Sequence, residues 1–214
     1  MNRYDQRLCG SPEWADFVAG EMLPEVLDGA ELGPRVLELG PGYGASTRAL
    51  LERTPHLVAV ESDPKLVDHL RQEFGSALNV VLGDATQLPF GDASFSAAVC
   101  FTMLHHLRSS EAQHRLFAEV ARVLEPGGLF VSRDSGGCWR FRLIHLGAVC
   151  TPVSPRGLRT RLCRAGLQPA EITAVPGLVQ FRAHRPNESR SLELVLARHQ
   201  AIPRAEPGAY GNEP

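Results

Sequence analysis

The chain has 214 residues, with 43% hydrophobic and 21% charged side chains and a formal net charge of −2. That length suits one well-buried domain with a small appendage, and the near-neutral balance gives no reason to expect a nucleic-acid partner. No apolar run approaches the ~20 residues that span a bilayer, the first ten residues hold no signal-like apolar stretch, and five scattered cysteines form no C-x-x-C pair, so a cytoplasmic protein with free thiols and no metal site is expected.

In chain order, Ser11-Pro12-Glu13 opens a helix with a capping side chain, a proline at the first helical position and an acid near the positive end. Its apolar stripe is Trp14, Phe17, Val18, Met22 and Val26, and Gly29 with Gly33-Pro34 ends it. A strand over 35–39 runs into Gly40, Gly42 and Gly44, followed by a helix over 45–53. Strands follow at 57–61, 78–82, 97–101 and 129–132. Asp63-Pro64 starts a helix to about Phe74, and Ser110 to Gln113 has capping-box spacing ahead of a helix over 111–124 that Pro126-Gly127-Gly128 stops. Residues 135–154 are less regular. A helix from Ser154-Pro155 ends at Gly166, and 168–175 with 178–184 form a hairpin about Pro176-Gly177. Residues 188–199 fit a helix or a strand, and the Pro-, Gly- and Glu-rich stretch from Pro203 reads as disordered.

Short continuous apolar strands alternating with amphipathic helices predict an α/β fold with a mostly parallel sheet buried on both faces. The expected division is an N-terminal helical lid over 1–34, a main domain over 35–185 and a C-terminal extension over 186–214.

The chemistry concentrates at the carboxyl ends of the strands, where open α/β sheets bind ligands. Strand, glycine turn and helix together let a ligand lie against bare backbone, because glycine has no Cβ and tolerates positive φ. Glu61 ends the second strand, 21 residues after Gly40, where a carboxylate can accept both hydroxyls of a ribose. Asp84, in Gly83-Asp84-Ala85, stands one strand further along, where it can accept from an exocyclic amine on a base. Glu38 lies between leucines and needs a partner, for which a cationic amino group is a natural choice.

Four motifs carry a family resemblance: Val36-Leu-Glu38-Leu-Gly40-Pro-Gly42-Tyr-Gly44; Val60-Glu61-Ser62-Asp63-Pro64; Gly83-Asp84-Ala85 running into Leu88-Pro89-Phe90 and Ser94-Phe95; and Phe117-Ala-Glu119-Val-Ala-Arg122-Val-Leu124-Glu-Pro126-Gly127-Gly128. With these the chain resembles the class I S-adenosylmethionine-dependent methyltransferases, and within them the small-molecule branch that includes ubiquinone and menaquinone biosynthesis enzymes. The resemblance implies a three-layer Rossmann-like fold with a seven-stranded sheet and an antiparallel last strand, here the 168–184 hairpin. It implies S-adenosyl-L-methionine as cofactor. Gly40, Gly42 and Gly44 would lie against its methionine part, Glu61 with Ser62 would hold the ribose, and Asp84 with the Ala85 backbone the adenine. Glu38 and backbone at Phe101 and Thr102 would help hold the methionine amino group.

The implied function is methyl transfer to a small-molecule acceptor, by a monomer or homodimer. A nicotinamide-dependent oxidoreductase is the second reading, since Gly40, Gly42 and Ala45 also fit G-x-G-x-x-A. A non-catalytic S-adenosylmethionine-binding scaffold is the third. For a protic acceptor, Met103-Leu104-His105-His106-Leu107 supplies a candidate general base, with His105 preferred to His106. The sequence after the fourth strand lacks the Asn/Asp-Pro-Pro-Tyr/Phe pattern of DNA-base methylation, and no acid follows closely enough for a metal-dependent catechol type. Residues 135–170 hold Arg140, Arg142, Arg156, Arg159, Arg161 and Arg164 and no acid. They read as a solvated basic face or as a sign of an anionic substrate.

Overall fold

A computed structural model of the chain describes residues 3–137 and 150–187. Seven strands form one sheet in the order β3-β2-β1-β4-β5-β7-β6. They are β1 (Arg35–Leu39), β2 (His56–Glu61), β3 (Asn79–Leu82), β4 (Phe95–Phe101), β5 (Leu124–Asp134), β6 (Gln168–Val175) and β7 (Leu178–His184). The first five run parallel, and β7 inserts antiparallel between β5 and β6. The expected α/β fold, with its terminal antiparallel hairpin, is the one observed. The helices are α1 (Arg3–Cys9), α2 (Pro12–Phe17), α3 (Leu23–Val26), α4 (Ala45–Leu51), α5 (Pro64–Phe74), α6 (Ser110–Val123) and α7 (Leu158–Arg164).

Alternate residues of each central strand feed two cores. Val36, Ala59, Val99 and Val131 face one layer with Val26, Leu50 and Leu70. Leu37, Ala98, Cys100 and Phe130 face the other, with Leu116, Phe117 and Leu162. There Phe181 meets Phe117 and Phe130 edge-on at centroid distances of 5.9 and 5.3 Å, a favoured aromatic geometry. Period-two burial on both faces is why the strands read as unbroken apolar runs.

Four local features depart from the sequence reading. First, α1 precedes the expected N-terminal helix. Second, that helix carries a π turn over Val18–Met22 between α2 and α3, and the Leu23 N–H reaches back to the Val18 carbonyl. Pro24 has no N–H to give and its ring crowds the carbonyl four residues earlier, so the widened turn absorbs it. Third, the cap of α6 is Ser109, whose hydroxyl accepts from the Ala112 N–H at 3.1 Å, rather than Ser110. Fourth, α6 ends at Val123. Leu124 is already extended and pairs with Phe95, and the strand bulges through Pro126-Gly127-Gly128 before Leu129 pairs with Ala97. The 188–199 segment and the tail from Pro203 lie outside the described residues.

Candidate active site

The parallel strands all end at one edge of the sheet, and the turns leaving β1, β2, β3 and β4 converge there on a cavity of about 580 Å³. Of the residues anticipated from sequence, Gly40, Gly42, Glu61, Ser62, Asp84, Ala85, Phe101 and Thr102 line it. Glu38, Gly44 and His105 do not.

Gly42 and Gly44 have different reasons to be glycine. Both sit at positive φ, at 60° and 81°. A Cβ on Gly42 would meet nothing within 4 Å, so this bare backbone faces the cavity. A Cβ on Gly44 would stand 2.6 Å from Phe74 Cε2, so this glycine lets α4 close onto α5. Gly40 packs under Met103, where a Cβ would have no room.

Glu61 ties two turns together. Its Oε1 accepts from the Ser62 and Asp63 N–H groups at 2.7 and 3.0 Å, and its Oε2 accepts from the Gly42 N–H at 3.2 Å. A carboxylate offers about four acceptor sites, so Oε2 keeps capacity for a further donor. Asp84 is exposed, and its Oδ1 accepts from the Thr86 N–H at 2.8 Å.

Thr102 adopts φ 50°, a left-handed conformation unfavourable for a β-branched residue. Its N–H donates to the Arg133 carbonyl at 2.9 Å, which holds the turn after β4 against β5.

Within the chain, the partners of Glu38 are two hydroxyls. Ser46 donates to Oε1 at 2.5 Å and Thr47 to Oε2 at 2.7 Å, both from the first turn of α4. Burial pushes the Glu38 carboxyl up to about 7, against the lowering effect of those two hydrogen bonds, and the nearby Glu61 charge adds to the rise. Ser46 itself lines the cavity, so Glu38 lies one side chain behind the wall.

The histidine pair is arranged opposite to the sequence preference. His106 lines the cavity, whereas His105 is 5% exposed and turns inward, with Nδ1 2.7 Å from Asp134 Oδ1. Adjacent residues in a 3₁₀ turn point in different directions, and spacing alone does not say which points where.

Other cavity residues escaped the sequence reading. Gln6 and Cys9 come from α1, Val18 and Met22 from the π turn, and Arg108 from the loop after β4. Trp14, from the apolar stripe of the N-terminal helix, both lines the cavity and packs on the core. The fourth motif acts from a distance. Arg122 donates to the Leu88 and Phe90 carbonyls at 3.0 and 2.7 Å and pairs with Glu119 and Asp92. Glu119 accepts from the Leu88 N–H at 2.7 Å, so α6 clamps the loop that begins at Asp84.

The arginine cluster does not form a cavity wall among the described residues. Arg159 donates to the Pro169 carbonyl, and Arg161 donates to Ser110 and Gln113 and covers the Phe117 ring. Arg140 and Arg142 lie outside the described residues. No helix among the described residues is long and apolar enough to cross a membrane.

The chain is similar to known methyltransferases over part of its length. Residues 37–132 match the model of a methyltransferase domain. An uncharacterized methyltransferase of Mycobacterium tuberculosis is 36% identical over 115 residues, which are 54% of this chain and 43% of that protein. The ribosomal RNA small subunit methyltransferase A of Synechococcus elongatus is 49% identical over 71 residues, 31% of this chain and 25% of that one. This chain therefore spans less than half the length of these curated relatives. Among solved structures, the 1,6-didemethyltoxoflavin-N1-methyltransferase of Burkholderia thailandensis, with bound 1,6-didemethyltoxoflavin and S-adenosylhomocysteine, superposes with a TM-score of 0.63 at 21% sequence identity, covering 82% of each chain. These matches liken residues 37–132 to a methyltransferase domain, and the superposition shows a shared α/β fold.

Proposed function

We propose that this chain transfers a methyl group from S-adenosylmethionine to a small-molecule acceptor. The observation that carries the reading is the lining of one cavity by Gly42, Glu61, Asp84 and the left-handed Thr102, at the carboxyl ends of four strands. The donor set suits a nucleoside: Glu61 retains an acceptor site for ribose hydroxyls, and Asp84 has an oxygen beyond the Thr86 contact for a base amine. Bare backbone at Gly42 admits the amino-acid portion, and Glu38 with Ser46 supports that end from behind.

Bound S-adenosylmethionine supplies a methyl on a positively charged sulfur with a neutral leaving group. The chain's own task is then to hold the acceptor in line with that methyl and to keep water out. Trp14, Val18 and Met22 contribute an apolar cover suited to the second part. The cavity volume lies within the range of small-molecule sites, and the net charge of −2 offers nothing to attract a polyanion.

Calorimetry with S-adenosylhomocysteine and with NAD tests the reading. The first should bind and the second should not. Glu61→Ala and Asp84→Ala should each weaken S-adenosylhomocysteine by about tenfold or more, the worth of a hydrogen bond to a charged group. Unchanged affinity in both variants, or preference for NAD, would refute it. A methyl-acceptor panel that includes ribosomal RNA then separates small-molecule from RNA substrates.

A further inference from the structure

The turn after β4 holds a feature that cofactor binding leaves unused. His105 and Asp134 are 5% and 2% exposed and lie 29 residues apart in sequence, yet the His105 Nδ1 approaches Asp134 Oδ1 at 2.7 Å. Asp134 sits at the end of β5 and also accepts from the Ser135 N–H at 2.6 Å. Its other oxygen, Oδ2, is buried without a hydrogen-bond partner among the described residues. With Asp134 as a carboxylate, which only accepts, the contact takes a proton on His105 Nδ1. The outer face of this buried pair is a second imidazole. The rings of His105 and His106 lie 4.0 Å apart at 44°, and His106 is on the cavity wall. The backbone is pinned on both sides: the His106 N–H donates to the Met103 carbonyl at 2.9 Å, and the Thr151 N–H donates to the His105 carbonyl at 2.7 Å.

We propose that His106 is the catalytic base for a protic acceptor, an alcohol, phenol or amine, and that the buried Asp134–His105 pair is its positioning device. The inference rests on the methyl-transfer reading and specifies the acceptor class. As the acceptor oxygen or nitrogen bonds to the methyl carbon, the carbon–sulfur bond breaks and its electron pair stays on a neutral thioether. The acceptor proton passes to a His106 ring nitrogen and afterwards to water. Asp134 holds the His105 ring, and the His105 ring limits the orientations open to His106. The sidechain that meets the acceptor is thus ordered by a carboxylate that never touches it, a role in keeping with the buried partners of other catalytic imidazoles.

The test uses the full chain saturated with S-adenosylhomocysteine and treated with diethyl pyrocarbonate, with labelling read residue by residue by peptide mass spectrometry. His106 should react at least about tenfold faster than His105, because one ring is at the wall and the other is buried and paired. In Asp134→Asn that ratio should fall below about threefold, while calorimetric affinity for S-adenosylhomocysteine stays within about threefold. With phenol, primary-amine and alcohol acceptors, His106→Gln should lower kcat by about 10²-fold or more, the usual worth of a general base, with KM little changed. Asp134→Asn should lower kcat in the same direction by less. Even labelling of the two rings, or faster labelling of His105, overturns the proposal whether or not any acceptor is turned over. So does an unchanged kcat in His106→Gln. Failure of the wild-type chain to bind S-adenosylhomocysteine would instead overturn the methyl-transfer reading.

Discussion

Glu38→Gln should stabilise the ligand-free protein, and only above the acid range. Glu38 is 1% exposed, and burial lifts its carboxyl from 4.5 to about 7. Between those two values the unfolded chain has released the proton that the folded chain still holds. Stability therefore falls as pH rises through that window and levels off above it. At about 1.4 kcal/mol per unit, the loss approaches roughly 3 kcal/mol at the plateau. Glutamine carries no such penalty. Its carbonyl can accept from one of the Ser46 and Thr47 hydroxyls, and its amide can donate to the other. Urea denaturation of both proteins isolates the effect, because every other titrating group cancels in the difference. The stability gap favouring the variant should widen by about 2.5 kcal/mol between about pH 5 and about pH 8. A gap that does not change with pH would refute the desolvation argument. A variant less stable at both pH values would show that the two hydroxyl bonds to the carboxylate outweigh its burial.

Three further outcomes follow from the same geometry. Gly44→Ala should cost about 2–3 kcal/mol by urea denaturation, because left-handed strain adds to a collision with Phe74. Gly42→Ala should cost only the backbone strain, about 1–2 kcal/mol, yet weaken S-adenosylhomocysteine about tenfold by calorimetry, since its new methyl enters the cavity. Arg122→Ala should lower stability by about 1–2 kcal/mol and speed amide exchange across 85–94, because the Leu88 and Phe90 carbonyls lose their donor.

Much of the architecture was legible because it is local. Unbroken apolar runs such as Val36 to Leu39 mark strands covered on both faces. Ser11 and Asp63 announce helix starts, and each does accept from a backbone N–H of the first turn. Glycine spacing after β1 and acids ending β2 and β3 point to the sheet edge, because a parallel sheet brings all strand ends of one sense together. Apolar periodicity did not reveal the π turn, whose cause is a single proline inside an otherwise regular helical stripe.

The site's inner contacts depended on tertiary structure. Residue spacing reports the period of the local backbone, and it is silent on which side chains meet across a crossover. Glu38 finds its hydroxyls on the following helix, Arg122 clamps a loop about 30 residues upstream, and Asp134 reaches His105 from the neighbouring strand. The sequence by itself determined that acids and bare backbone would gather at one edge of an α/β sheet. Only the folded chain decided that His106 meets the cavity while His105 turns inward, because that choice is made by a buried carboxylate delivered from β5.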